Sequence, residues 1–88
     1  MFKKDVWYKS PLSDELGMFG GLYTYFKFEC YKGDKVRIGV YDFTSNSNFK
    51  SPILKIQYEK ERLFNASREV SEEEIGESIA YIAKLLLR

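Results

Sequence analysis

Residues 22–43 read LYTYFKFECYKGDKVRIGVYDF and alternate in character from one residue to the next. Leu22, Phe26, Phe28 and Cys30 hold one parity; Tyr23, Tyr25, Lys27, Glu29 and Tyr31 hold the other. The next run repeats the pattern, with Val36, Ile38 and Val40 set against Arg37, Gly39 and Tyr41. A period of two is the mark of strands with one apolar face, and no helix can accommodate it. KGDK at 32–35 supplies turn residues, so the segment is expected to fold as a β-hairpin.

Register decides which side chains share a face. A two-residue Gly33-Asp34 loop would set Val36 opposite Tyr31 and Val40 opposite Lys27, mixing the two parities. An odd-length turn instead pairs Cys30 with Val36, Phe28 with Ile38 and Phe26 with Val40, and sets Glu29 opposite Arg37 and Tyr25 opposite Tyr41. Register follows the hydrophobic pattern where one face is buried, and cross-strand charge and ring pairs favour the same choice. An odd-length turn with a bulge is therefore expected.

ILKIQYE at 53–59 alternates again and extends the hairpin to a meander, with RLFN at 62–65 as a short fourth strand after a turn near Lys60 and Glu61. DVWY at 5–8 suits an edge strand. Residues 10–21 and 44–52 are rich in Ser, Gly, Asn and Pro and read as connections. At the end, Ser71 and Glu74 form a capping box, flanked by Val70 and Ile75 as a hydrophobic staple. Ile75, Ile79, Ile82 and Leu86 then fall on one helical stripe, with Gly76 and Ala83 beside it to allow close approach to a sheet.

The expected architecture is α+β: a small twisted antiparallel sheet of three to five strands, in a meander, packed on one C-terminal helix. The single domain divides into an N-terminal edge strand and loop (1–21), the meander (22–66) and the helix (71–87). Under the helix, Phe26, Phe28, Val36, Ile38, Val40, Leu54 and Ile56 would meet the isoleucine stripe.

Composition limits the chemistry. The chain of 88 residues has no histidine, which removes the commonest general base and imidazole ligands. Its single cysteine, Cys30, cannot form an internal disulfide and, on the inward parity, reads as a buried, inert thiol. Fourteen Lys and Arg against thirteen Asp and Glu leave a formal net charge of +1, so no global field steers the chain onto nucleic acid or an anionic membrane. No phosphate-binding glycine motif or membrane-length apolar run is present, and MFKKDVWYKS, which lacks an apolar stretch, is not expected to act as a signal peptide. A non-enzymatic cytoplasmic protein without cofactor, metal or membrane partner is expected.

That leaves the tyrosine-bearing face. Its rings could pack on one another beneath Trp7, Tyr8, Leu16, Met18 and Phe19. They could instead bind another protein, or a second copy of the chain, through Tyr23, Tyr25, Tyr31, Arg37, Tyr41 and Phe43, with Phe49 as a further anchor on the polar loop. Small size and the lack of catalytic groups suit a stoichiometric inhibitor or regulator, such as a phage or mobile-element counter-defence protein. The alternative is a single-stranded nucleic-acid-binding module, with bases stacked on the tyrosines and phosphates held by Lys27, Arg37 and Lys55.

Overall fold

The computed structural model of the chain describes residues 1–13, 23–43 and 51–86. Within them, β1 (Trp7–Lys9), β2 (Thr24–Lys32), β3 (Lys35–Asp42), β4 (Leu54–Glu59) and β5 (Arg68–Val70) form one antiparallel sheet, in the order β4-β3-β2-β1-β5. Helix α1 (Lys60–Ala66) links β4 to β5, and α2 (Glu72–Leu86) closes the described chain. The fold is the expected small α+β arrangement with a C-terminal helix.

The β2–β3 register combines the two possibilities that the sequence sets against each other. Phe26 faces Val40, Phe28 faces Ile38 and Tyr25 faces Tyr41, as the apolar pattern requires. The turn is nevertheless the two-residue Gly33-Asp34 loop, because Lys32 faces Lys35, Tyr31 faces Val36 and Cys30 faces Arg37. Gly33 takes φ 63° there, the left-handed conformation such tight turns demand of their first central residue. A bulge between Phe28 and Cys30 reconciles the two registers. The extra residue therefore sits inside β2, not at the turn. It moves Cys30 from the expected inward parity onto the Arg37 face, half-exposed, and brings Tyr31 inward beside Phe28.

The sheet is buried on both faces, by different elements. On the first face Phe26, Val36, Ile38 and Val40 form the core, flanked by Phe28, Tyr31, Leu54, Ile56 and Tyr58. The C-terminal helix does not cover it, which corrects the expected partner of that face. Phe2, Val6 and Tyr8 cover it from the N-terminal segment, and Leu63 from α1 is fully buried there. Phe2 is the keystone: its ring lies 4.9 Å from Tyr8, 5.2 Å from Phe64, 6.0 Å from Phe26 and 6.1 Å from Phe28. Two phenols hold its backbone, since the Phe2 N–H donates to Tyr31 Oη and the Lys3 N–H to Tyr8 Oη, both at 2.8 Å.

On the second face Tyr25, Phe43, Val70, Ile75 and Ile82 are buried together, with Trp7, Tyr23, Tyr41 and Ile79 packed around them. The helix stripe thus docks on the tyrosine face. Both members of the expected staple, Val70 and Ile75, lie in this cluster. Ser71 caps α2 through a hydrogen bond from the Glu74 N–H to its Oγ at 3.1 Å. Gly76 is exposed and nothing lies within 4 Å of the position its Cβ would take, so it is no point of close approach.

Two further expectations change. Residues 60–66 are helix, not strand: Lys60, Glu61 and Arg62 are good helix formers, and the turn they start swings Leu63 onto the core. β1 is not an edge, because β5 pairs with its outer side. Leu16, Met18, Phe19, Leu22, Phe49 and the side chain of Leu86 lie outside the described residues.

Candidate functional site

The candidate contact residues do not share one surface. Tyr25 and Phe43 are each 2% exposed, their rings 5.0 Å apart, and the Tyr25 hydroxyl hydrogen-bonds Ser78 Oγ of α2 at 2.8 Å. Both are core beneath the helix. Tyr31 is on the opposite face, where its hydroxyl receives the Phe2 N–H. The hydroxyls of these two expected contact residues, Tyr25 and Tyr31, are internal ties, as buried phenols usually are.

What remains accessible is a strip on the second face beyond the reach of α2. β1 contributes Trp7, whose ring meets Tyr41 edge-on at 4.7 Å and Phe43 at 5.4 Å. β2 contributes Lys27, whose Nζ sits 4.4 Å above the Trp7 ring centroid. The bulge aims Glu29 into the middle of the strip, where it holds Arg37 Nε at 3.4 Å and Lys55 Nζ at 3.3 Å. Arg37 and Glu29 are not the direct cross-strand partners that the sequence leads one to expect, since Arg37 faces Cys30, yet the bulge still brings their side chains together. Burial, with the Glu29 charge as a smaller contributor, raises the Tyr41 phenol above its ordinary pKa. Gly39 lies in the floor of the strip. A Cβ there would meet Pro52 Cβ at 3.2 Å and Glu29 Oε2 at 3.3 Å, so the proline ring and the carboxylate rest directly on its backbone.

At the other margin Tyr23 stacks on Tyr81 of α2, ring centroids 6.0 Å apart, and Tyr81 and Leu85 are exposed. Burial, then the neighbouring phenols Tyr81 and Tyr25, raise the Tyr23 pKa. Sequence reasoning missed Trp7 as the centre of the strip and missed Tyr81 as part of its margin. The signal for Tyr81 was its place one residue before Ile82 of the helical stripe; Trp7 was expected against this face, but its central position follows only from the β1–β2 pairing.

A separate open cleft of about 420 Å³ is lined by Lys9, Ser10, Thr24, Ser67 and Arg68 among others. Lys9, Ser10, Ser67 and Arg68 are engaged within the chain. Lys9 Nζ donates to Thr24 O at 2.9 Å and lies 4.4 Å from the Tyr25 ring centroid; burial and the nearby Arg68 lower its pKa. Ser10 Oγ reaches Ala66 O, and Ser67 Oγ donates to Leu63 O. Arg68 grips both oxygens of Glu74 at 3.0 Å. Among the described residues no group of three or more Cys, Asp or Glu side chains is placed to hold a metal ion, and no helix is long and apolar enough to cross a membrane.

No family model, curated protein or solved structure matches this chain.

Proposed function

We propose that the chain is a non-enzymatic binding protein that associates with another protein, as a stoichiometric inhibitor or regulator. The observation that carries this reading is the strip of Trp7, Lys27, Arg37 and Tyr41 on the second face. Trp, Tyr and Arg are the residues that dominate interface energetics. Trp7 against Tyr41, Lys27 over Trp7 and Arg37 on Glu29 hold these side chains in place before any partner arrives, which lowers the entropy lost on binding.

A nucleic-acid reading has one observation in its favour: Lys27, Arg37 and Lys55 lie on the same face as two half-buried rings. Against it, all three cations already have partners, Lys27 on Trp7 and the other two on Glu29. A phosphate would have to displace those contacts, and only the excess of positive charge over Glu29 would draw it in.

Affinity capture with and without nuclease separates the readings, using wild type and Lys27→Glu/Arg37→Glu. Nuclease-resistant capture of a defined protein that the double variant loses, with an unchanged circular dichroism spectrum, is the expected result. Capture that disappears with nuclease favours nucleic acid. A partner retained at full strength by a folded double variant removes the strip as its contact surface.

A further inference from the structure

Among the described residues the sheet ends in two edge strands of very different kind. β5 spans only Arg68–Val70; its Arg68 is tied to Glu74 and its Glu69 lies 3.6 Å from Lys3 Nζ. β4 spans Leu54–Glu59, pairs with β3 throughout without a bulge, and has no strand on its other side among the described residues. Long regular edges of this kind invite a further strand unless they are blunted by proline, bulges or repelling charge. β4 has no proline and one lysine.

The backbone parity of that edge follows from a single hydrogen bond. The Lys60 N–H donates to Asp34 O at 3.0 Å, so residue 60 turns its peptide groups toward the hairpin. Antiparallel alternation gives Leu54, Ile56 and Tyr58 the same orientation, and directs the N–H and C=O groups of Lys55, Gln57 and Glu59 outward. The side chains of these last residues are exposed.

We propose that β4 pairs with β4 of a second copy of this chain, antiparallel and centred on Gln57. In that register Lys55 stands opposite Glu59 of the second copy, Gln57 opposite Gln57, and Glu59 opposite Lys55. These are the pairs whose outward backbone groups bond each other. Ile56 stands opposite Tyr58 at the closer, non-bonded positions, so the first-face core continues across the junction from strand residues that are only half-buried in one chain. Among the registers that join the outward groups, only this one sets Lys55 opposite Glu59. Centring on residue 55 sets Lys55 against Lys55, and centring on residue 59 sets Glu59 against Glu59. Glu59 is exposed and precedes α1 without a side-chain capping bond. Lys55 reaches Glu29 on the same face with its side chain 48% exposed, and from there can share the second copy's carboxylate. This pairing runs through the backbone of the β4 edge and shares only Lys55 with the proposed partner strip; it does not depend on Trp7, Lys27, Arg37 or Tyr41.

Sedimentation equilibrium on the intact chain tests it, with circular dichroism as the control for folding. Wild type is expected to be a concentration-dependent dimer. Glu59→Lys turns both charge pairs into repulsions and should raise the dimer dissociation constant by about tenfold or more. The exchange Lys55→Glu/Glu59→Lys, made together with Glu29→Gln so that the new carboxylate does not face Glu29, restores the pairing in the same register and should recover the dimer. Gln57→Pro removes only an outward N–H, which an edge strand tolerates, and should abolish dimerisation while the chain stays folded. A wild type that remains monomeric at the highest attainable concentration overturns the proposal. So does a folded Gln57→Pro variant that dimerises as well as wild type, or a charge exchange that fails to recover what Glu59→Lys loses.

Discussion

Two glycines with opposite roles show how much a single residue decides. Gly33, at φ 63°, sits where a side chain would be strained by the backbone alone, although nothing crowds its Cβ position. Gly33→Ala should cost about 1 kcal/mol in urea unfolding, through the left-handed conformation and not through contact. Gly76 is helical, exposed and uncrowded. Gly76→Ala should therefore stabilise by roughly 0.5–1 kcal/mol. A loss of stability at residue 76 would mean that α2 lies nearer its sheet than these distances show. The bulged residue Glu29 is a third case: one inserted position sets the parity of everything between it and the turn.

Among the elements, α2 is fixed at its start by more than its cap. Ser71 accepts the Glu74 N–H, while the Glu74 carboxylate reaches back to Arg68 of β5. The Arg68 hydrogen bonds hold Glu74 below the usual carboxylate range, outweighing partial burial, which acts the other way. A depressed carboxylate stabilises the fold above its unfolded pKa, and the contribution disappears as pH falls through the folded value. Glu74→Gln should consequently flatten the acid limb of the stability–pH profile while lowering stability at neutral pH by no more than about 1 kcal/mol, since both groups are well exposed to screening. An acid limb identical to wild type would show that the ion pair does not persist in solution. The short helix α1 gains its place differently, from one side chain: Leu63 is the only residue of the element that is buried.

For the whole molecule, the sheet has a core on each side and one set of strands serves both. Phe2 and Trp7 lie on opposite faces yet belong to the same N-terminal segment, with Trp7 and Tyr8 on adjacent residues of β1. Phe2→Ala should cost about 3–5 kcal/mol. Trp7 fluorescence, a probe of the far face, should lose its midpoint together with far-ultraviolet circular dichroism, because strands shared by two cores unfold as one unit. A Trp7 transition that keeps its wild-type midpoint in this variant would show that the two cores melt separately.

The strands of the hairpin, their pairing at Phe26, Phe28 and Tyr25, and the capped amphipathic helix were legible in the residues, because each rests on local periodicity or on neighbours a few positions apart. The composition of each face was legible too, up to Glu29. Which face the helix would take was not. Period two states that Phe26 and Tyr25 point apart, but both faces are rich in large rings, and the choice between them rests on contacts of long sequence separation: Phe2 with Phe28, β1 with β5, Tyr25 with Ser78. The strip that survives as a candidate site is likewise a tertiary product. Trp7, Lys27, Glu29, Arg37 and Lys55 come from four strands and meet only because a bulge re-aims one carboxylate and the helix covers the remaining rings.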